Sequence, residues 1–450
     1  MIELATVGFF VLTCLIAARN AAWALALVFV MYSLEQALQS SSGVFLRIPP
    51  LANVCVALTV GICIIGRLPQ FERPLRGYAT VQLSAVAAIF IWSALSLLWT
   101  PARESGFELT RTGLPYVILM VAAAPLLVDE LGSLRRFLFA FLLMGTLTTA
   151  LIVANPGFTL KMGRLGIDIG GGFRTNPLAI GELGGMMLIV GVLSMRIASS
   201  ATLSATLRVA ACLLGGYLAL QSGSRGQLVF ALAVSICFTP MARRITNISR
   251  FFGVVAGAAI LVPLAIWAAQ YFLGSQELRR WDLNVLAEGA AVRSQNILDL
   301  FSAFSTAPLA WFIGLGFNAF TSVTPTIEPY SHILFVDVLT ELGIPMFILL
   351  LWWLKRLFGD ALWLFRRFAE DADERASITC LCAMFVFQLL IVNKQGYLWA
   401  ATLFFLPGIM LTRLRVREES LDADVVEADT DNGGEEQEYG FDGPHQGASH

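Results

Sequence analysis

Long apolar runs alternate with short polar breaks along most of the chain. Residues 79–99, ATVQLSAVAAIFIWSALSLLW, hold no charge, and neither do residues 251–273, FFGVVAGAAILVPLAIWAAQYFL. A helix needs about 20 such residues to cross about 30 Å of hydrocarbon, and helices satisfy their own backbone groups in lipid. The pattern predicts spans near 2–17, 21–38, 51–66, 79–99, 114–128, 137–154, 178–195, 207–223, 226–240, 252–273, 332–354, 377–392 and 396–412. Residues 1–38 admit two readings: two short spans broken at Arg19-Asn20, or one span with a re-entrant piece. The expected fold is all-α, a polytopic membrane protein with about 12–13 transmembrane helices. The first apolar block lacks a basic leader and an A-x-A-like site, so it is expected to remain as a helix rather than be cleaved.

Composition agrees. The 450 residues are 57% apolar and 14% charged, against roughly 25% charged in soluble domains. The net charge of −2 conceals an asymmetry, because residues 418–450 are acidic and the remainder is basic. This divides the chain into a membrane domain, 1–417, and an acidic tail, 418–450, expected to be disordered and cytoplasmic. The seven cysteines lie in apolar blocks, and Cys380 and Cys382 form C-x-C, a pattern of buried thiols rather than a zinc site.

Loop charge sets the orientation. Arg67, Arg73 and Arg76, Arg135 and Arg136, Arg243, Arg244 and Arg250, Lys355, Arg356, Arg366 and Arg367, and Arg413, Arg415 and Arg417 fall on one side of the predicted spans. The positive-inside rule makes that side cytoplasmic. The opposite, outer side receives 100–113, 155–177, 224–226, 274–331 and 393–395, of which 274–331 is much the largest. These outer loops also carry cations: Lys161, Arg164, Arg174, Arg225, Arg279, Arg280, Arg293 and Lys394. Two readings stand. The cations sit beside lipid headgroups, or they converge on an anionic substrate at the outer leaflet.

Three segments carry candidate chemistry. In LQSGSRGQLVF, residues 220–230, Gly223 and Gly226 flank Ser224-Arg225 and allow a tight turn with a guanidinium at its tip. In residues 291–320, Ile297, Leu300, Phe301 and Phe304 recur at helical spacing, predicting an amphipathic helix at the outer interface. Pro308 ends it, and Gly314, Gly316 and Asn318 form a glycine-rich turn among aromatic anchors. The third segment is PYSHILFVDVLTELGIP, residues 329–345. His332 sits where the large loop re-enters the membrane. The other two histidines, His445 and His450, lie in the tail. An imidazole there suits a general base near neutral pH, or a capping or headgroup-binding residue. On a continuous helix Glu341 would lie about 180° around from His332 and about 13 Å deeper. Asp337 and Glu341 are therefore expected outside any relay, with Glu341 paired to an arginine or to backbone. No phosphate-binding loop, dinucleotide fold, outer carboxylate cluster or nucleic-acid motif is visible.

These segments, in this order, resemble the O-antigen ligase/polymerase family of bacterial membrane glycosyltransferases. SGSRGQLVFAL resembles the family's S-R-G segment at the start of a span. RSQNILDLFSAFSTAPLAWFIGLGFNAF resembles its arginine-led stretch ending in P-L-x-G-x-G-x-x-x-F. SHILFVDVLTELGIPMFILLL resembles its histidine segment, with His332, Glu341 and Gly343 in register. FRTNPLAIGELGGMML is similar to an Asn-Pro segment that opens an earlier span. Departures are Ile333, where the family carries Asn or Ser after the histidine, and a glycine turn spread over Phe312-Ile313-Gly314.

The resemblance implies an active site facing the periplasm from the bacterial inner membrane. The donor would be a glycan on polyprenyl pyrophosphate, and the acceptor another glycan or a lipid. Transfer would be inverting and would need neither metal nor cofactor. His332 would be the base. Arg225 and Arg293 would bind the pyrophosphate, with Arg279, Arg280, Arg174 and Lys394 in the same field. Ser224, Gly226, Gly314, Gly316 and Glu341 would support the site. Membrane lipids and a chain-length regulator would be partners, and nucleic acid would not. A polymerase of surface polysaccharide, a ligase moving glycan to lipid A core or protein, and a flippase that moves the lipid-linked glycan without bond making all remain open.

Overall fold

The computed structural model describes residues 1–68, 80–128, 130–161, 164–169, 172–174, 177–243, 283–324 and 331–432, with Tyr78, Ser249, Phe252, Gly253 and Ala256. In chain order its α-helices are α1 (Ile2–Ala17), α2 (Ala21–Ser41), α3 (Gly43–Arg47), α4 (Leu51–Arg67), α5 (Val81–Leu95), α6 (Arg103–Val117), α7 (Leu131–Ala154), α8 (Pro177–Leu193), α9 (Ala201–Gln221) and α10 (Arg225–Arg243). They continue as α11 (Leu283–Thr306), α12 (Ala310–Ile313), α13 (Phe320–Val323), α14 (Leu334–Leu342), α15 (Ile344–Arg367), α16 (Ala372–Val392) and α17 (Thr402–Asn432).

Among the described residues, seven helical stretches are long and apolar enough to cross a membrane: Ala21–Ser41, Val81–Leu98, Arg103–Leu127, Leu131–Ala154, Ala201–Gln221, Gly226–Arg243 and Ala372–Val392. Helices α1, α4 and α8 are apolar but shorter. The chain has the build of a multi-pass helical membrane protein.

Burial sorts the helices into a centre and a rim. In α2 and α16, 78% of the most apolar window is buried, against 33% in α9 and α10. Helices apolar all round belong in an interior, and Leu25, Leu27, Val28, Val30 and Met31 are buried on every face of α2. Rim helices instead expose large apolar side chains, such as Leu58, Ile62 and Ile65 on α4 and Val209 and Leu213 on α9, as a surface solvated by hydrocarbon should. Trp353 is fully buried, with ring centroids 5.9, 5.6 and 5.4 Å from those of Phe385, Phe404 and Phe405, and so ties α15 to α16 and α17.

Several sequence expectations are revised. The N-terminal ambiguity resolves into two helices, because the Asn20 side chain caps α2 by accepting from the Ala22 and Trp23 N–H groups at 3.1 and 3.4 Å. Residues 103–113, expected in an outer loop, are helical. Their Glu108–Arg111 ion pair, 2.8 Å, sits on the exposed face, so the charges do not oppose the helix. Beyond Pro115 this helix widens into a π turn over Ile118–Ala123 and tightens over Ala124–Leu127, as a missing proline N–H invites.

The span expected over 332–354 is divided at Gly343, φ +88, into α14 and α15. Pro345 lies in the first turn of α15, and the Trp92 indole N–H donates to the Leu342 carbonyl at the break, 3.1 Å.

The all-α expectation is amended by a small antiparallel sheet in the 155–177 loop: β1 (Phe158–Lys161), β2 (Arg164–Ile169) and β3 (Gly172–Arg174). Thr159 pairs with Gly166 and Ile167 with Arg174. Alternation on β2 puts Leu165 and Ile167 inward.

The acidic tail, expected to be disordered from 418, begins as helix, since α17 runs to Asn432. Arg415 bonds Glu419 one turn on, and Arg367 of α15 pairs with Asp422 at 2.5 Å. The span expected over 252–273 lies largely outside the described residues. So do residues 274–282 and 325–330 of the large loop.

Candidate functional site

The turn after α9 is built by Gly223 at φ +65. The Ser222 hydroxyl accepts from the Ser224 N–H, 3.2 Å, and Ser224 in turn presents its carbonyl to the Gln227 N–H, 3.1 Å. Arg225 is thereby the first residue of α10, at a helix N-terminus where anions are favoured. Above that first turn lies Lys394, from the loop after α16. Its ammonium donates to the Ser224 hydroxyl at 3.2 Å. A Cβ at Gly226 would fall 2.5 Å from Lys394 Nζ and 2.4 Å from its Cδ. Glycine at 226 is what admits the lysine.

The residue before Lys394 reaches the other way. The Asn393 side-chain oxygen accepts from the Phe335 N–H, 3.2 Å, in the first turn of α14, while its amide donates to the Leu389 carbonyl at 2.8 Å. Two consecutive residues thus join the start of the Arg225 helix to the start of the His332 helix. Sequence reading ranked Lys394 low and missed Asn393. The available signal was the polar run NKQ between two apolar spans.

His332 precedes α14 rather than belonging to it. It is half-buried, with φ +71, and Ile333 is the extended N-cap residue. Non-glycine residues rarely hold such a φ without a local reason. The anchor is next door. Buried Ser331 hydrogen-bonds the carboxylate of buried Asp337, and its oxygen accepts from the Ile333 N–H at 3.1 Å. This corrects the helical projection used to place the carboxylates, which holds only from Leu334 onward. Asp337 braces the backbone on both sides of His332.

Glu341 closes a second arrangement. One carboxylate oxygen accepts from the Asn318 N–H at 2.9 Å and the other from the Phe320 N–H at 3.1 Å. The backbone carbonyls of Thr340 and Glu341 take the Leu315 and Gly316 N–H groups, both at 2.9 Å. The glycine-rich turn is therefore clasped to the end of α14. Its fit leaves no room: a Cβ at Gly314, φ +79, would lie 2.0 Å from the Glu341 carbonyl oxygen, and one at Gly316, φ +97, would lie 2.5 Å from Thr100.

The structure brings Ser224, Gly226, Lys394, Asn393 and the His332 segment to one end of the bundle, with Glu341, Gly314 and Gly316 bracing the far end of α14. Arg293 is exposed on α11, two turns before buried Leu300, and makes no ion pair among the described residues. Arg174 is placed by its backbone in β3. Arg279 and Arg280 lie outside the described residues. Among the described residues, no group of three or more His, Cys, Asp or Glu is placed to hold a metal ion. No protein-family model matches the chain, and no characterised protein matches it at a significant level.

Proposed function

We propose that the chain is a membrane glycosyltransferase that extends a surface polysaccharide from polyprenyl-pyrophosphate-linked glycan at the outer face of the bacterial inner membrane. One observation carries the reading. Asn393 and Lys394, adjacent in sequence, couple the helix start that bears Arg225 to the helix start that follows His332. A cationic, anion-favouring helix end and an imidazole are thereby held on one scaffold, which is the pairing that displacement of a phosphate leaving group by a hydroxyl requires.

In this mechanism an acceptor sugar hydroxyl attacks the anomeric carbon of the donor. The new C–O glycosidic bond forms as the bond from the anomeric carbon to the pyrophosphate oxygen breaks. The hydroxyl proton passes to the His332 imidazole, and polyprenyl pyrophosphate departs with the bonding electrons. Direct displacement inverts the anomeric centre. Lys394 and Arg225, at the N-terminus of α10, offset the charge developing on the leaving group. By the family resemblance, Arg293, Arg279, Arg280 and Arg174 would add to the same cationic field. Ser331 and Asp337 hold the histidine backbone in place, and Glu341 fixes the turn at the other end of its helix.

The test is transfer by the purified protein in lipid nanodiscs, supplied with polyprenyl-pyrophosphate-linked glycan. Longer glycan should appear together with free polyprenyl pyrophosphate, and His332→Ala should abolish both while the protein stays folded. Full activity in that variant would remove the base assignment. Translocation of intact donor without bond exchange would replace the enzyme reading with transport. Product built on lipid A core rather than on glycan would make the protein a ligase.

A further inference from the structure

A cavity of about 340 Å³ opens on the other side of the loop that carries Lys394. Its volume is in the range of small-molecule sites, about 300–1,000 Å³. Tyr32 of α2, Tyr116 of α6, Glu182 of α8 and Gln388 of α16 line it, with Gln395 and Trp399 from the chain beyond α16. Among the described residues the wall holds no lysine, arginine or histidine. That separates it chemically from the Lys394–Ser224 site, although Gln395 and Lys394 are adjacent residues.

A carboxylate placed among membrane helices is costly without a purpose. Glu182 lies about 7.5 Å along α8 from its first residue. One carboxylate oxygen accepts from the Gln388 amide at 2.6 Å, and the second takes no hydrogen bond among the described residues. Glu182 is only half-buried where its neighbours Gly181 and Leu183 are buried, so its carboxylate keeps access to the cavity. Gln388 is itself 1% exposed. Opposite, the Tyr32 and Tyr116 rings lie 5.5 Å apart. The Tyr116 hydroxyl accepts from the Asn53 amide at 2.8 Å, and that amide also reaches Glu35 at 3.0 Å. The tyrosine is thus oriented from behind.

Hydroxyl, amide and carboxyl groups interspersed with aromatic faces suit a polyhydroxylated ring. The carboxyl group of Glu182, with no cation among the described lining residues, disfavours an anion. We infer that this cavity is a glycan subsite that receives an uncharged sugar ring and rejects uronic or other acidic sugars. The assignment rests on the glycosyl-transfer reading. Phosphate is handled on the Lys394 face of the loop, and the sugar beside the reacting end on the Gln395 face.

The test uses the full chain in nanodiscs prepared without sugar-headed detergent. Saturation-transfer NMR is recorded with the methyl glycosides of glucose, galactose, mannose and N-acetylglucosamine, and with methyl glucuronide and methyl galacturonide. At least one neutral glycoside should give a signal several-fold above every acidic one. Gln388→Leu should remove that signal. The near-isosteric Glu182→Gln should narrow the neutral-to-acidic ratio, with an unchanged melting temperature showing that it is folded. Should Gln388→Leu not fold, Tyr116→Phe and Glu182→Gln carry the comparison. Equal signals from neutral and acidic probes, no signal at all, or a signal indifferent to these variants overturns the proposal.

Because binding is read without turnover, the two readings fail separately. Transfer with no sugar bound here removes the subsite alone, and binding with no transfer removes the enzyme reading alone. In the transfer assay, a Glu182→Gln rise in KM for donor places the donor's sugar in the cavity, and a rise for acceptor places the acceptor's.

Discussion

The ammonium of Lys394 rests 3.2 Å from the hydroxyl of Ser224, over the first turn of the helix that Arg225 begins. A second cation is thus brought from the far end of the sequence to a helix N-terminus that already favours negative charge. Replacing it with methionine keeps the aliphatic stem and removes the charge. Lys394→Met should raise the donor KM or lower kcat/KM for donor by about tenfold or more, the equivalent of ~1.4 kcal/mol, with little change in melting temperature. Gly226→Ala should act on the same interaction by pushing the lysine away. The double variant should therefore be no worse than the poorer single one, a non-additivity that a double-mutant cycle reads directly. Additive losses would mean that the two residues act separately.

Glu341 has a structural part that substitution can isolate. Its two oxygens satisfy the Asn318 and Phe320 N–H groups. Glu341→Ala should cost about 1–3 kcal/mol for each orphaned N–H, seen as early thermal unfolding. Glu341→Gln keeps one acceptor oxygen and should lose roughly half as much. Activity in both should track the folded fraction. A fully folded but inactive Glu341→Gln would show instead that the carboxylate meets substrate.

Much of the bundle was legible because apolar runs of membrane length have few other destinations, and α2, α5, α7 and α16 lie close to where those runs fall. The breaks were not legible. Residues on both sides of Gly343 are apolar, so periodicity passes through it. The turn exists because the backbone of Phe312 and Gly314 packs against Gly343, a tertiary contact. Arg103, Glu104, Glu108 and Arg111 read as a polar loop, since charge content does not reveal that a helix can turn all four outward. In the candidate site, His332, Ser224, Gly226 and Glu341 stood out by residue type and spacing. Asn393 did not, because its role is to accept one backbone N–H from a helix 58 residues away. The helical projection from His332 failed for a related reason: a single left-handed residue resets the direction of everything that follows.

At the opposite end of the bundle, Asp360 of α15 is 1% exposed and takes hydrogen bonds from Gln82 at 3.2 Å, Thr412 at 2.8 Å and Arg415 at 2.7 Å. It joins three helices distant in sequence. Asp360→Ala should destabilise the fold toward the lower end of the roughly 3–5 kcal/mol typical of a broken buried pair, because Arg415 retains Glu419. Asp360→Asn, which keeps the acceptor oxygen for Thr412, should lose less. Exposed Arg367–Asp422 is the control. Asp422→Ala should shift the melting temperature by an amount equivalent to at most about 1 kcal/mol, and by less in high salt.

His332 offers the sharpest separation of function from stability. Its backbone holds φ +71, a conformation that costs a non-glycine residue about 1–3 kcal/mol and costs glycine almost nothing. If the histidine is present for its imidazole, removing the side chain altogether should relieve the backbone. His332→Gly is therefore expected to unfold near the wild-type temperature or above it, the relief being offset by the contacts of the lost imidazole and by the flexibility glycine adds to the unfolded chain, and yet to transfer no glycan. His332→Ala keeps the strain and loses the base, so it should be equally inactive and the less stable of the two. His332→Asn, which tolerates a left-handed backbone, should fall between them in stability and remain inactive. The measurement is paired thermal unfolding and transfer for all three variants. An ordering in which wild type is the most stable, and activity declines only as the folded fraction declines, would assign the histidine to the fold and take it out of the chemistry.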